Sequence, residues 1–314
     1  MDGIINVLKP PGMTSHDVVQ FIRRTLHIRK VGHTGTLDPG VAGVLPICLG
    51  KATRVAQFVT DSGKSYRAEV TFGITTSTYD KFSEITGEAE TSFLTEANIV
   101  AVLNEFRGQI QQVPPMTSAV RHQGKKLYEL ARAGLEVERE PRSVQISELR
   151  PVKFYLQGVS RPRLIFDVSC SKGTYIRTLC HDIGQRLGCG AYMSFLVRTD
   201  SGPFLLREAV TVEEIVHLAA TDGIAKILHP LDIALQHLPR VWVKPASMAS
   251  VQNGSKIYPA GIQEMPAGEL ADQQMVRLYA PEGGCLAVAR TMRDQPTLVE
   301  GNFHEYVFQP VKVF

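Results

Sequence analysis

The sequence predicts a two-domain protein in which a large domain combines helices with strands and a small C-terminal domain is all β. Its 314 residues suffice for one large domain and a small one, and 44% hydrophobic residues can bury a substantial core. Helix and strand patterns alternate up to a predicted boundary at residues 239–245. Roughly the last 70 residues instead carry short strand patterns separated by Gly-rich turns, such as Asn253-Gly254 and Gly301-Asn302.

The chain begins with a predicted strand at residues 4–8, an apolar run that leads into the turn sequence KPPGMTS at residues 9–15. Ser15 is the expected N-cap of the next helix, and Asp17 lies in its first turn, where a negative charge suits the helix dipole. The far end of this helix is basic. Basic helix ends often serve solubility alone, but this one precedes a glycine-rich loop, so a rim that faces a polyanion is also compatible with the pattern.

The glycine-rich loop, GHTGTLDPGVAGVL at residues 32–45, is the first candidate site. Its four glycines permit backbone conformations closed to other residues, and Pro39 biases Asp38 towards an extended conformation at a loop corner. Asp-Pro-Gly is also a good β-turn sequence, and the tripeptide alone favours a plain turn. However, His33 and two threonines precede Asp38, and the apolar run at residues 41–49 predicts a buried strand. Polar loops beside rigid strands are where functional sites tend to lie.

Three further elements are predicted between residues 51 and 107. Residues 51–59 have the apolar spacing of a helix, and residues 66–72 alternate as a half-buried strand whose apolar face begins at Tyr66. From this strand alone, Tyr66 is better explained as a core tyrosine whose hydroxyl is bonded at the edge. Thr95 is the expected N-cap of a helix that Gly108 terminates.

The segment at residues 121–143 mixes six Lys or Arg with four Glu, a composition typical of a solvated helix. Its first part is locally basic, and Arg121, Lys125 and Lys126 could bind phosphate there. The segment is therefore a candidate for contact with a polyanion.

Arg177 is the next residue that a local pattern singles out. A strand predicted at residues 164–170 precedes an amphipathic helix that runs to Leu187 and ends at Gly188. Arg177 falls in the first turn of this helix, where the helix dipole opposes a cation by up to about 1 kcal/mol. Its position therefore predicts a nearby anion, either a structural carboxylate or a catalytic one.

Composition argues against several classes of protein. A net charge of +3 and a pI near 8.5 are too mildly basic to indicate nucleic-acid binding by themselves. The five cysteines match no zinc pattern and are interpreted as reduced and buried, so we expect no metal. The glycines fit neither a Walker-type loop nor GxGxxG, which argues against a nucleotide-dependent enzyme. No signal-peptide profile and no apolar run of roughly 18 residues is present, so we expect a cytoplasmic protein without membrane contact.

Four separated segments resemble, in order and spacing, the motifs of bacterial tRNA pseudouridine synthases that modify uridine 55. They are KPPGMTS at residues 9–15, GHTGTLDP at 32–39, KSYR at 64–67 and GTYIR at 173–177. PPMTSAV at 114–120 and GKKLY at 124–128 resemble the family's tRNA-gripping insertion, and the end of the chain resembles a small RNA-binding PUA module. The resemblance implies an α+β pseudouridine synthase fold with a mixed, largely antiparallel sheet flanked by helices. It also implies a catalytic domain at residues 1–240 with the insertion at about 108–143, and an all-β, PUA-like domain at residues 241–314.

The resemblance further implies a reaction that needs neither metal nor cofactor. Asp38 would be the nucleophile that attacks a flipped uridine, either at C6 of the base or at C1′ of the ribose. Arg177 would pair with Asp38, and Tyr66 would pack against the base and could help to remove the C5 proton. The substrate-binding residues that the resemblance implies are His33, Lys9, Tyr175, Leu196, Arg121, Lys125 and Lys126.

The predicted function is therefore the isomerisation of uridine 55 in the T arm of tRNA, by a monomer for which no protein partner is implied. The alternative is a non-catalytic RNA-binding or tRNA-folding protein in which Asp38 only forms the turn. The chain departs from the family motifs at Gly40-Val41-Ala42, at Thr117 and Arg121, and in the segment DKFS at residues 80–83, which lacks a usual glycine. These departures concern the shape of loops and the grip on RNA, and leave the predicted nucleophile in place.

Overall fold

The computed structural model describes residues 1–292 and 307–314, so the turn predicted at Gly301-Asn302 lies outside the described residues. In the described part of the chain, the β-strands are β1 (Gly3–Lys9), β2 (Val31–His33), β3 (Ala42–Leu49), β4 (Lys64–Phe72), β5 (Ile74–Thr76), β6 (Ile85–Glu88), β7 (Gly108–Gln112), β8 (Arg121–His122), β9 (Lys125–Lys126), β10 (Arg142–Tyr155), β11 (Arg163–Cys170), β12 (Ala191–Ser201), β13 (Phe204–Leu205), β14 (Leu228–His229), β15 (Arg240–Val243), β16 (Ile262–Glu264), β17 (Met275–Tyr279), β18 (Cys285–Thr291) and β19 (Phe308–Val313). The α-helices there are α1 (Ser15–Thr25), α2 (Ala56–Asp61), α3 (Glu96–Glu105), α4 (Leu127–Arg132), α5 (Ile176–Leu187), α6 (Val212–Ala220) and α7 (Met248–Gln252).

A large sheet of ten strands forms the first domain. Its strand order is β14-β1-β3-β12-β4-β11-β10-β7, with β2 added to β3 and β13 added to β12. Neighbouring strands are antiparallel except β3 and β12, which run parallel at Val197 and Arg198. The predicted mixed, largely antiparallel sheet is therefore confirmed. The parallel pairing places Ala42 and Gly43, at the start of β3, beside Val197 and Arg198 of β12.

The main core lies between this sheet and helices α3 and α5. Alternate residues of β11 are buried, as its period-2 pattern predicts, and they pack with Leu179 and Ile183 from the buried face of α5. Leu37 and Val41, which flank the glycine-rich loop's Asp38, belong to the same core. The loop is thus anchored in the core on both sides of its carboxylate.

A second sheet, of five strands in the order β16-β15-β17-β18-β19, confirms the predicted small β domain. The short strand patterns in the last 70 residues, which include residues 275–278 and 286–289, are present as β17 and β18. The sheet packs against the first domain, because Val288 of β18 is fully buried with Ile4 and Val44. Arg54 also donates a hydrogen bond of 2.7 Å to the Val313 carbonyl.

Two local predictions are wrong, and the helix predicted at residues 51–59 is only partly α-helical. The segment at residues 121–143 is mainly a β8–β9 hairpin followed by the short helix α4, because Gln123 and Gly124 adopt positive φ and reverse the chain. Residues 51–59 begin as a 3₁₀ helix and become α-helical only from Ala56. The N-cap of α1 is Thr14, whose hydroxyl accepts from the Asp17 N–H at 3.0 Å, rather than Ser15.

No helix within residues 1–292 and 307–314 is long and apolar enough to cross a membrane.

Candidate active site

Asp38 lies at the corner of a tight turn. The Val41 N–H donates to the Asp38 carbonyl at 3.0 Å, which closes the β-turn that Asp-Pro-Gly predicts. Leu37 and Val41 are only 4% and 3% exposed, whereas the Asp38 side chain is 42% exposed. The core therefore fixes both ends of the turn and leaves the carboxylate facing outwards.

The KPPGMTS turn holds this loop through Lys9. The Lys9 ammonium, which is fully buried, donates to the carbonyls of Pro10 at 2.9 Å, Met13 at 2.6 Å and Pro39 at 3.3 Å. The Gly12 N–H also donates to the Pro39 carbonyl, at 2.8 Å. Burial lowers the pKa of Lys9 to about 8, although the nearby Asp38 acts in the opposite direction. The Lys9 ammonium thus connects the backbone of the KPPGMTS turn to the backbone of the glycine-rich loop.

Ser15 forms a second tie between the first helix and the loop. Its hydroxyl accepts from the Leu37 N–H at 2.9 Å and donates to the Leu37 carbonyl at 3.3 Å. Ser15 is free for this role because Thr14 caps the helix. The residue before Asp38 is consequently fixed by hydrogen bonds as well as by packing.

Arg177 in the first turn of α5 contacts Asp38 directly, with Nε 2.9 Å from Oδ2. The rest of its guanidinium is also engaged. Nη1 donates to Thr117 Oγ1 at 2.6 Å and to the Thr78 carbonyl at 3.2 Å, and Nη2 donates to the Thr117 carbonyl at 3.1 Å. Since only 6% of the Arg177 side chain is exposed, these contacts fix the position of the guanidinium that holds Asp38.

A second carboxylate, that of Asp80, faces Arg177 and was given no role from the sequence. Its Oδ2 lies 3.7 Å from Nη1 of Arg177, and its Oδ1 accepts from Thr78 Oγ1 at 2.8 Å. The adjacent Tyr79 stacks on His181 of α5 with ring centroids 4.0 Å apart. The loop between β5 and β6 is thereby docked on the helix that carries Arg177.

Tyr66 and Leu196 provide an apolar wall in the same core cluster as Leu37 and Val41. Tyr66 is 8% exposed on β4 and is paired in register with Arg198 of β12. Burial raises the pKa of the Tyr66 hydroxyl, and the Arg198 guanidinium beside it acts in the opposite direction. Tyr66 is therefore a protonated phenol near neutral pH.

Two more buried cations lie beneath the glycine-rich loop. Arg198 is 1% exposed and donates from Nε to the Val44 carbonyl at 2.7 Å. Lys64 donates to the carbonyls of Thr60 and Ser62, both at 2.9 Å, and burial lowers its pKa to about 8. Two buried positive charges therefore lie next to Gly35 of the loop, and both donate to backbone carbonyls.

His33 lies at the start of the loop, on β2. Its Nδ1 accepts a hydrogen bond of 3.3 Å from the Gly35 N–H, and burial lowers its pKa. The ring is therefore a neutral imidazole at pH 7, with its remaining nitrogen free of that bond.

Tyr175, just before α5, is positioned through its backbone by Gln112, which is 2% exposed and was not predicted. The Tyr175 N–H donates to Gln112 Oε1 at 2.7 Å, and Gln112 Nε2 donates to the Tyr175 carbonyl at 3.0 Å. Neither Gln112 nor Thr117 could be recognised in advance, because each acts on a residue about 60 positions away. The available signals were their place near the start of the 108–143 segment and, for Thr117, its departure from the family motif.

Arg121, Lys125 and Lys126 lie together on the β8–β9 hairpin. Arg121 Nη1 donates to the Gly124 carbonyl at 3.1 Å, and the Lys126 ammonium lies 5.4 Å from the centre of the Tyr128 ring. These contacts stay within residues 121–128, whereas Thr117 of the 108–143 segment contacts Arg177 directly.

No group of three or more His, Cys, Asp or Glu side chains in the described residues is arranged to hold a metal ion.

Comparison with known proteins assigns the chain to a family. Residues 23–176 match the model "TruB family pseudouridylate synthase (N terminal domain)", and residues 177–236 match "tRNA pseudouridylate synthase B C-terminal domain". A tRNA pseudouridine synthase B of Pelotomaculum thermopropionicum is 52% identical over 94% of this chain and 92% of its own length. That of Geobacillus thermodenitrificans is 46% identical over the full length of both chains.

Solved structures agree with this assignment. A chain of a Cbf5-Nop10-Gar1 complex is 32% identical, with a TM-score of 0.78 over 99% of this chain and 84% of that one. A chain of an H/ACA RNP bound to a substrate RNA containing 2′-deoxyuridine is 31% identical, with a TM-score of 0.77 over the same shares. Sequence and fold together place this chain in the TruB family of pseudouridylate synthases.

Proposed function

We propose that this protein isomerises uridine to pseudouridine at position 55 in the T arm of tRNA, with Asp38 as the nucleophile. The observation that carries the proposal is the pairing of a half-exposed Asp38 with a buried Arg177 at 2.9 Å, on a turn anchored in the core. Relatives named tRNA pseudouridine synthase B, 42–56% identical to this chain, supply the substrate class.

The reaction moves the base without changing its composition. The Asp38 carboxylate forms a covalent bond to the flipped nucleotide, at C6 of the base or C1′ of the ribose, and the C1′–N1 bond breaks. The base then bonds to C1′ through C5, the bond to Asp38 breaks, the C5 proton passes to solvent and N1 takes up a proton, so the product is an isomer of uridine. A carboxylate suits both steps because it is a nucleophile when ionised and a competent leaving group afterwards. Arg177, fixed by its other partners, orients the attacking oxygen.

Tyr66 would pack against the flipped base, with Leu196 on the same apolar wall. Because burial keeps the phenol protonated, packing is the role that the free protein supports best. Removal of the C5 proton by Tyr66 would require Arg198 to stabilise a phenolate when the substrate is bound. His33, neutral in the free protein, would enter the RNA loop without adding charge.

Binding of the T arm is assigned to three surfaces around this site. The β8–β9 hairpin with Arg121, Lys125 and Lys126 would contact phosphates, as would the basic end of α1. The five-stranded sheet would form the predicted PUA-like RNA-binding domain at residues 241–314. We propose that the protein acts as a cytoplasmic monomer.

Release of the C5 proton tests the function directly. An unmodified tRNA transcript labelled with tritium at uridine C5 is incubated with wild type or with Asp38→Asn, and released label and tRNA affinity are measured. We expect release by the wild type and release slowed roughly a thousandfold or more by Asp38→Asn, because the nucleophile is lost, with affinity nearly unchanged. Asp61→Asn, which removes an exposed ion pair to Lys172, is the matched control and should release label normally.

The same assay decides between the proposal and the non-catalytic alternative. Tight tRNA binding by the wild type without any release of label would favour an RNA-binding or tRNA-folding protein. Normal release by Asp38→Asn would refute the nucleophile while leaving the isomerase activity in place. A transcript in which uridine 55 is replaced by cytidine should release no label from that position, and unchanged total release would refute the assigned target.

A further inference from the structure

Phe82 is the large hydrophobic side chain with the highest exposure in the described residues, at 67%. It lies in the loop between β5 and β6, two residues after Asp80. Single exposed hydrophobic residues are common on protein surfaces, so exposure alone assigns no role. Its position relative to the proposed active site is what distinguishes Phe82.

The Phe82 ring lies against the loop that carries Asp38. A methyl group on Gly40 would lie 2.2 Å from Cε2 and 2.5 Å from Cζ of Phe82, so the ring occupies the space that a side chain at position 40 would need. Gly40 is separated from Asp38 only by Pro39. An exposed aromatic ring therefore borders the outward-facing carboxylate.

The backbone of Phe82 is held in place although its ring is exposed. The Phe82 N–H donates to Asp80 Oδ1 at 3.0 Å, and the same oxygen accepts from Thr78 Oγ1 at 2.8 Å. Ser83 Oγ accepts from the Thr78 N–H at 3.0 Å, which closes the loop. Since Asp80 also faces Arg177, Phe82 is positioned by the network that positions Asp38. Because the backbone at Phe82 is already held by these bonds, only the side chain has to be ordered when a ligand stacks on the ring.

We propose that the exposed face of Phe82 stacks on a nucleobase adjacent to the target uridine and so positions the RNA loop over Asp38. The inference rests on the proposed function, because it requires an RNA loop at this site. Flipping a base removes its stacking partners, and an aromatic side chain can replace one of them for any neighbouring base. The Lys81 ammonium, 5.2 Å from the centre of the ring, adds a positive charge for the nearby phosphates.

Substitutions at position 82 test the proposal through tRNA affinity and KM. From the usual value of a base–aromatic stack, Phe82→Ala should weaken tRNA binding and raise KM by about 5- to 150-fold, with a smaller change in kcat. Phe82→Trp should stay within about threefold of the wild type. Phe82→Leu, which keeps an apolar cover on Gly40 but no aromatic face, should resemble Phe82→Ala. Phe195→Ala removes a half-exposed phenylalanine from β12 and should leave KM unchanged.

An abasic substrate shows whether the loss comes from stacking. Two transcripts each carry an abasic nucleotide on one side of the target uridine. With one of them, wild type and Phe82→Ala should bind equally well, because the base that stacks is missing. A persistent difference with both transcripts would overturn the proposal, as would full rescue by Phe82→Leu.

The proposal and the proposed function fail in different ways. If the wild type releases no C5 label, the function itself is refuted. If the wild type releases label normally and Phe82→Ala has the same KM and affinity, only the stacking role of Phe82 is refuted.

Discussion

Arg177 is 6% exposed, whereas Asp38, whose carboxylate lies 2.9 Å from its Nε, is 42% exposed. An exposed ion pair usually contributes little because both side chains must be ordered to form it. Here the guanidinium is already fixed by Thr117 and Thr78, so the pair orders only the carboxylate. Asp80 lies 3.7 Å from the same guanidinium. In the proposed reaction Asp38 becomes an ester, and the buried cation would then keep Asp80 as a nearby carboxylate.

Thr117→Val tests whether the 108–143 segment positions the ion pair of Arg177 and Asp38. The change removes the 2.6 Å acceptor of Arg177 Nη1 while keeping the side-chain shape. A hydrogen bond to a charged group contributes about 1.5–3 kcal/mol, so we expect the free energy of unfolding to fall by about that amount and kcat to fall about tenfold or more. The KM for tRNA should change little, since Thr117 acts through Arg177. Denaturant unfolding and single-turnover kinetics measure the two effects.

Thr117→Ser provides the rescue, because it restores the hydroxyl acceptor and should recover most of the turnover. Thr86→Val removes an exposed hydroxyl that donates to Thr75 and should leave turnover unchanged. Wild-type kcat in Thr117→Val would show that the remaining contacts of Arg177 suffice to hold it.

Gly40→Ala and Phe82→Ala should act on KM through the same contact. The φ of Gly40 is accessible to alanine, but the added methyl would lie 2.2 Å from the Phe82 ring and must displace it. Gly40→Ala should therefore raise the KM for tRNA about as much as Phe82→Ala does. Phe82→Ala removes the three ring atoms nearest to the added methyl, so in that background Gly40→Ala should have almost no further effect.

Gly63→Ala is the control for that double-mutant cycle. Its added methyl would make only an ordinary contact, 3.5 Å from the Cys170 carbonyl, so KM should be unchanged. Independent, multiplicative effects of Gly40→Ala and Phe82→Ala would contradict the proposed contact.

Local sequence patterns could predict those parts of the site that depend only on residues close together in the chain. The turn at Asp38 follows from Asp-Pro-Gly, and the strand at Tyr66 follows from alternation. The position of Arg177 at a helix N-terminus predicted a nearby anion, and Asp38 lies in that place. Each of these predictions needed only a few neighbouring residues.

The contacts that complete the site are long-range and partly made by backbone atoms, so no local pattern indicates them. Arg177 meets the carbonyls of Thr78 and Thr117, which any residue type could supply. The strand β10 (Arg142–Tyr155) was also missed, because its mostly exposed residues lack a clean apolar alternation and it pairs with β7 and β11 through its backbone. The contact between Asp80 and Arg177 likewise could not be predicted, because it depends on the packing of the β5–β6 loop against α5.

The lowered pKa of Lys9 leads us to expect that the folded protein becomes more stable as the pH rises above 8. Burial lowers its pKa from 10.5 to about 8, so between pH 8 and pH 10.5 the unfolded chain binds a proton that the folded chain has released. Stability therefore increases with pH across this window, with a slope of at most about 1.4 kcal/mol per pH unit for one proton. Below pH 8 the full cost of burying the charge is present, and above pH 10.5 it has disappeared.

Denaturant unfolding of wild type and Lys9→Met at several pH values isolates this effect, because the other titrating groups, Lys64 among them, are present in both proteins. The wild type should gain stability relative to the variant from pH 8 to pH 10. Lys226→Met, which alters an exposed lysine, should show a difference that does not depend on pH. A constant difference between wild type and Lys9→Met would show that Lys9 has the same pKa in both states.

Lys125→Ala should flatten the salt dependence of tRNA binding. Lys125 is exposed on the β8–β9 hairpin, so its loss removes charge without removing core packing. If it contacts one phosphate, the slope of log K against log salt should fall by about one unit, and affinity should fall for all sequences alike. Lys126→Ala should give the same change in slope plus some loss of order in the hairpin, because its ammonium also bonds the Tyr128 hydroxyl at 3.4 Å. Lys226→Ala is the charge-matched control, and an unchanged slope in Lys125→Ala would assign the phosphate contacts to the basic end of α1 instead.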